Sequence, residues 1–319
     1  MADQIILRAN VQHCDIAALR DAYSKMQALS PTDNRSWIFW ADKHGFPVYD
    51  CWHHFREGPA DHPFPYDLFL PWHRAYLVYW ENVARDQNAD AIPPWWDWTS
   101  ARSHAIGVPE AYALPEVNGQ PNPLFNGPTP DMPDDPARRT RRFPGSPADL
   151  PAATVIGKLL ALNDYKDFSA QVQDVHDQIH GWAGGINPDN PSQGGDMGNI
   201  AVAAFDPLFW AHHCMIDRIW YLWQLRHGVS NIPPSYLRLK LVPFGYEVKD
   251  VLDIHRLGYE YATSAATGSG PAAAAPVPAA PVPAAPVPAA PAAAAPAAAA
   301  PADAAGRPDT GAAQAGSQS

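Results

Sequence analysis

Two adjacent histidines, His212 and His213, interrupt the apolar run "FDPLFWAHHCMIDRIW" at residues 205–220. An unpaired imidazole gains nothing from solvent among Phe, Trp, Ile and Met, so burial there needs a compensating bond. A second pair, His176 and His180 in "VHDQIHGWAGG", is spaced i, i+4, which stacks both rings on one face of a helix. That face also carries apolar neighbours, so both rings point inward. Two hydrogen-bonded core histidines would explain this pair alone. His213 adds a third inward imidazole, and three neutral nitrogen donors with no Cys or Glu companion suit copper or zinc.

The N-terminal half holds a second set: His44 at the close of one helical segment, His53 and His54 in "DCWHHF", His62 in "ADHPF", and His73 in "LPWHRAYL". Two imidazole triads, each with its third member on a Trp-rich helix, point to a pair of metal ions. Histidine-only ligation is neutral and accommodates both Cu(I) and Cu(II), and two adjacent coppers can deliver two electrons together to dioxygen. Zinc would supply Lewis acidity without redox chemistry, and two-zinc hydrolases usually recruit carboxylates.

Helices must position these rings. Apolar residues at three and four spacing predict helices over 15–29, 34–45, 70–86, 165–182 and 206–228. Asp206-Pro207 supplies a cap followed by a first-turn proline, and Gly45 and Gly228 stand where helices should stop. Residues 107–151, rich in Pro and Gly, read as a long irregular loop that shapes a rim or binding face. "QIILRANV" and "YLRLKLVPF" read as short strands. The class is mainly α, a helical bundle with long loops and a few short strands.

The folded unit is expected over residues 1–262, because 263–319 is a Pro-punctuated Ala/Val tail without aromatic residues, suited to polyproline II or disorder. A net charge of −11, from 22 basic and 33 acidic residues, argues against nucleic acid as a partner. The basic cluster "ARRTRRFPG" at 137–145 reads as a loop with local ion pairs, or else as a partner patch. No signal-peptide pattern and no membrane-spanning apolar run occur, so the default expectation is a cytoplasmic protein with no membrane partner. Three cysteines, Cys14, Cys51 and Cys214, imply no disulfide framework.

Taken in order, "FLPWHRAYL", "PPWWDW", "HDQIHGWAGG", "GDMG" and "DPLFWAHHCMIDRIW" resemble the tyrosinase and polyphenol oxidase family of binuclear type 3 copper proteins, over nearly all of 1–262. The resemblance implies a four-helix bundle core around two copper ions. It assigns His176, His180 and His213 to copper B, with His212 hydrogen-bonding nearby groups behind them and Asp217 as an orienter. It assigns His44 and His73 to copper A. The middle ligand there is His53, with His54 and His62 as alternatives. Cys51 beside His53 resembles a motif that forms a thioether to the ligand ring, and a small buried thiol is the other reading. "DVLDIHRLGYEY" resembles the segment that closes the family's core domain, whose paired tyrosines, here Tyr259 and Tyr261, pack near an N-terminal arginine, here Arg8.

The activity implied is ortho-hydroxylation of monophenols and oxidation of o-diphenols to o-quinones, with O2 as co-substrate and small phenols as partners. Asp177 and Gln173 match the positions that hold a proton-accepting water in strong monophenolases, with the amide and carboxylate exchanged. An exposed helix residue is the plainer reading of Asp177. Ile200 matches the gate over copper A, and substrate rings are expected beside His180. Catechol oxidase and o-aminophenol oxidase are the enzymatic alternatives, and oxygen carriage of the hemocyanin kind is the distant one. A homo-oligomer is compatible with the sequence. The tail reads as a linker or solubilising extension, against a lid over the site.

Overall fold

The computed structural model describes residues 5–45, 68–130, 138–229 and 232–262. The expectations for Cys51, His53, His54, His62 and the 263–319 tail lie outside them. In chain order the elements are β1 (Ile6–Arg8), α1 (Ile16–Ala28), α2 (Trp37–Ala41), α3 (Phe69–Gln87), α4 (Ala101–Ile106), α5 (Glu110–Ala113), β2 (Glu116–Val117), β3 (Gln120–Pro121), α6 (Thr154–Leu160), α7 (Tyr165–Gly184), α8 (Pro207–His227) and β4 (Tyr259–Tyr261). The architecture is mainly helical, as the periodicity predicts.

Local chemistry sets the helix boundaries. Asp15 accepts from the amides of Ala17 and Ala18, both at 3.0 Å, to start α1. Ser36 accepts from Phe39 N at 3.1 Å to start α2, which runs into a 3-10 turn, Asp42–His44. Asp206 accepts from Leu208 N at 2.9 Å, and Pro207 occupies the first turn of α8 where its missing N–H costs nothing. At the far ends, Gly185 (φ +58°) and Gly228 (φ +93°) take conformations that a side chain resists.

α1 packs on α3, and α3 packs on α8. Between α3 and α8 the indoles of Trp80 and Trp210 stack at 3.5 Å, and Trp37 meets Trp80 edge-on at 4.7 Å. Every large ring in this layer is fully or nearly fully buried. Burial of such aromatic area fixes the angle at which the histidine-bearing helices face one another.

The two ends of the described chain meet behind α3 and α8. β1 pairs with β4 in parallel, Arg8 opposite Tyr261. Asp217 on α8 receives Arg74 Nε at 2.6 Å, Tyr259 OH at 2.7 Å and Tyr261 OH at 2.8 Å. Arg8 donates to Glu81 at 2.7 Å and to Tyr261 OH at 2.9 Å, with its guanidinium 3.6 Å above the Tyr259 ring. Arg8 thus sits on the paired tyrosines, as the resemblance implies.

Three expectations need correction. The helix expected over 34–45 is shorter, α2 at Trp37–Ala41 followed by the 3-10 turn Asp42–His44. "YLRLKLVPF" is not a strand. Burial does alternate from Leu237 to Leu241, but Pro234–Tyr236 is a 3-10 turn and, among the described residues, the segment makes the isolated bridge Lys240–Glu247 and backbone bonds beside it to Val248 and Lys249. Alternation there reports a half-buried face without a sheet to join. The 107–151 region is not wholly irregular, because it contains α5 and the β2–β3 hairpin, turned by Asn118 and Gly119. α4 and α6 were too short to register as periodic runs.

No helix among the described residues is long and apolar enough to cross a membrane.

Candidate metal centre

α7 carries His176 and His180 one turn apart, and α8 brings His213 against them. His213 Nε2 lies 3.1 Å from His176 Nε2 and 3.3 Å from His180 Nε2. On the other side, His44 comes from the 3-10 turn after α2 and His73 from the first turns of α3, with ring centroids 5.6 Å apart. The His73 ring stacks on His213 at 4.4 Å. Two groups result whose potential ligand atoms lie within 4.8 Å of one another: His176, His180, His212 and His213, and His44, His73 and His213.

Each ring is oriented through its second nitrogen. His73 Nδ1 donates to Phe69 O, one turn back on its own helix, at 2.8 Å. His180 Nδ1 donates to Met197 O at 2.7 Å, and His44 Nδ1 to Ile200 O at 3.1 Å. His176 Nδ1 meets Asp177 Oδ1 at 2.9 Å. A carbonyl or carboxylate oxygen only accepts, so these four Nδ1 atoms carry the proton and Nε2 carries the lone pair. His213 is the exception, because its buried Nδ1 has no hydrogen-bond partner.

Electrostatics favour the neutral form of His212 and His213. His212 and His213 are held well below the ordinary imidazole pKa, first by burial and then by neighbouring imidazoles. Phe209 covers His213 at 4.1 Å and Phe69 covers His176 at 4.8 Å. His180 is half-buried where His44, His73, His176 and His213 are buried, so the open side of the cluster is at His180.

This donor set fits copper. The Nε2 lone pairs of His176 and His180 both face His213 Nε2, which has at most one proton to share. Lone pairs left facing one another in a buried neutral cluster are stabilised by a cation, and an all-imidazole shell suits copper over calcium or magnesium.

The remaining expected residues sort as follows. Asp177 touches His176 directly while its side chain is 51% exposed. Gln173 is buried one turn earlier on α7. Ile200 is half-buried and anchors His44 through its carbonyl. Neither ring nitrogen of His212 has a partner at hydrogen-bond geometry, and the ring lies behind the ligands beside the His176 backbone, stacked on the His176 ring at 5.1 Å and edge-on to His180 at 4.9 Å. One of these expectations fails. Asp217 does not orient His213, because Arg74, Tyr259 and Tyr261 take its oxygens.

Three arginines of the 137–145 cluster bond residues distant in the sequence, where local ion pairs within a loop were expected. Arg138 pairs with Asp196, Arg139 binds Asn126 and Gln27, and Arg142 binds Asp206, Tyr112 O and Phe125 O. Cys214 is free and buried, its thiol pushed up to about 12 by burial. Sequence reading missed the carbonyl acceptors of Phe69, Met197 and Ile200, since a backbone oxygen leaves no trace in residue type.

The family model of the common central domain of tyrosinase matches residues 34–226. Units G and H of a hemocyanin from Sepia officinalis are 28% identical over 286 residues, which is 81% of this chain and 46% of that protein. A tyrosinase from Streptomyces lincolnensis is 28% identical over 186 residues, 52% of this chain and 66% of its own length. The chain therefore spans less than two thirds of either relative. Among solved structures, the tyrosinase from Burkholderia thailandensis at high pH superposes with a TM-score of 0.66 at 21% identity, covering 84% of this chain and 75% of that one, a likeness of fold.

Proposed function

This chain belongs to the tyrosinase family, and on that premise we propose that it is a copper oxidase that uses O2 to hydroxylate monophenols at the ortho position and to oxidise o-diphenols to o-quinones. The observation that carries the proposal is the convergence of His44, His73, His176, His180 and His213 from separate elements, four of them locked with Nε2 as the lone-pair nitrogen.

His176, His180 and His213 would hold one copper. His44 and His73 would hold the other with a third imidazole, for which His53 is our assignment and His54 and His62 are the alternatives. When bound, the copper pair supplies the two-electron redox chemistry toward O2 that no side chain can. The chain itself does the rest. The half-buried edge of His180 gives a phenol ring a stacking surface. Ile200 narrows the entrance beside His44 less than an aromatic residue would. Asp177, exposed enough to reach water, and Gln173 below it hold the proton acceptor for the phenol hydroxyl.

The test is oxygen uptake by the copper-reconstituted chain on tyrosine and on L-DOPA. Uptake on both is expected. Uptake on L-DOPA alone moves the assignment to catechol oxidase, and preference for an o-aminophenol to that activity. Reversible O2 binding without phenol turnover supports the second reading, oxygen carriage, which the similarity to the hemocyanin of Sepia officinalis favours.

A further inference from the structure

The motif "GDMG" at 195–198 is not accounted for by the ligands or the substrate. It lies in a short loop, Gly195 to Ile200, that contributes no ligand. Two of its carbonyls nevertheless reach the two metal centres: Met197 O accepts from His180 Nδ1, and Ile200 O, three residues later, accepts from His44 Nδ1. We propose that this loop is a strap that fixes one ligand of each metal centre at once, with Asp196 as its positioning residue. The proposal rests on the copper reading above.

Three observations support it. First, Asp196 is buried and holds the strap at both carboxylate oxygens: Oδ1 pairs with the Arg138 guanidinium, and Oδ2 accepts from Arg141 N at 2.7 Å. Its own amide donates to Arg141 O at 2.8 Å, so the 138–141 segment clamps it from three directions. Second, the strap is pressed onto the end of α7, the helix that carries His180. A Cβ on Gly184 would lie 2.4 Å from Gly198 N, and one on Gly195 would lie 2.2 Å from Gly184 O. Backbone meets backbone here, which explains glycine at both ends of the contact. Third, the strap turns back on itself through Asn199 N to Asp196 O at 3.0 Å and Val202 N to Asn199 O at 3.0 Å, so the two carbonyls move as one unit. His73 is the natural control, because its acceptor is Phe69 O on its own helix.

A ring held this way has both its tautomer and its tilt fixed before metal arrives. Loss of the Asp196 charge should therefore disturb one ligand in each centre together and leave His73 alone. The first measurement uses the metal-free full chain labelled with 15N-histidine. In the wild type, His44 and His180 are expected as Nδ1–H tautomers. In Asp196→Asn their ring resonances should shift together while those of His73 stay in place, and Asp196→Glu should restore them in large part. Movement of only one ring, of neither, or of His73 to the same extent overturns the strap.

The second measurement titrates the same proteins with Cu(II). The wild type should bind two ions, and Asp196→Asn should weaken both by about ten-fold, the range typical of lost outer-sphere support. Weakening of one ion alone overturns the proposal. A wild type that binds fewer than two ions sinks the copper reading, while the tautomer experiment still judges the strap. Should Asp196→Asn not fold, Arg138→Gln removes one of the two contacts of the Asp196 carboxylate and must give the same joint shift at smaller amplitude. An unchanged spectrum in that variant counts against the strap.

Discussion

Asp217 lies one helical turn beyond His213, and Arg74 directly follows His73, yet the two pairs belong to buried polar clusters of different kinds. Around Asp217 each charge has its complement: Arg74, Arg8, Tyr259 and Tyr261 converge on one carboxylate, and Glu81 balances Arg8. Around His213 the groups are neutral, the Nε2 atoms face one another, and three ring nitrogens of His212 and His213 have no hydrogen-bond partner. The charges of the first cluster are balanced within the protein, while Arg8 Nη2 and Arg74 Nη2 lack a hydrogen-bond partner. In the second, the facing lone pairs are what a cation would stabilise. The difference teaches that structure and chemistry are separated by one residue along α3 and by one turn along α8.

The comparison breaks most readily at Asp217. Asp217→Ala leaves Arg74 and two tyrosine hydroxyls without their acceptor in the interior. Removal of one partner from a buried ionic network costs about 3–5 kcal/mol. Urea unfolding of the metal-free chain should show that loss, and the copper-loaded chain should show it too. A loss under about 1 kcal/mol would mean that the network behaves like a surface pair and adds no rigidity to the cage.

His213→Ala should behave in the opposite way. The metal-free protein gives up a ring that was imperfectly satisfied, so its unfolding midpoint should change far less than in Asp217→Ala. What disappears is the stabilisation added by the metal that His213 would hold, about 2.7 kcal/mol at a hundred-fold excess of ligand over Kd. Thermal melts with and without Cu(II) check it: the shift seen in the wild type should fall in the variant to the part that the His44–His73 site supplies.

Tyr261→Phe sharpens the comparison within the charged cluster. Its hydroxyl accepts from Arg8 at 2.9 Å and donates to Asp217 at 2.8 Å, so it relays charge between two buried groups. Hydrogen bonds to charged groups are worth about 1.5–3 kcal/mol, and Arg8 keeps Glu81 while Asp217 keeps Arg74. We expect a loss of about 2 kcal/mol by urea unfolding, with copper stoichiometry unchanged. A drop to one copper per chain would show that the cage leans on this hydroxyl more than its geometry indicates.

Four long helical segments and the inward histidines were legible because periodicity and burial are properties of residue type, whereas the 34–45 segment shortens to α2 and a 3-10 turn. α7 and α8 start at the residues that Asp164 and Asp206 cap. The orienting contacts were not legible. The carbonyls of Phe69, Met197 and Ile200 carry no side-chain signature, and the partner of Asp217 depends on a strand that arrives from the far end of the chain. His212 was less legible for a related reason. Adjacent helical residues point about 100° apart, and the sequence does not say that His212 meets the same two rings, His176 and His180, as His213 does. The "YLRLKLVPF" segment shows the converse: a correct reading of alternating burial, without a neighbouring strand to make it a sheet.

The smallest effect distinguishes the clusters by pH. His212 and His213 stay neutral in the metal-free fold because burial, then neighbouring imidazoles, depress their pKa. In the unfolded chain both titrate near the ordinary value of about 6.5. Below that pH the unfolded state binds more protons than the folded one, so stability contributed by the neutral rings is present above about pH 6.5 and is lost as pH falls. The slope is at most about 1.4 kcal/mol per pH unit for each ring that remains neutral in the fold. Urea midpoints of the metal-free chain between pH 7.5 and 5.5 should decline accordingly, and the double variant His212→Phe, His213→Phe should flatten the decline. If the slope of the double variant matches that of the wild type, the pH dependence arises elsewhere and the neutrality of the cage is not what the acid attacks.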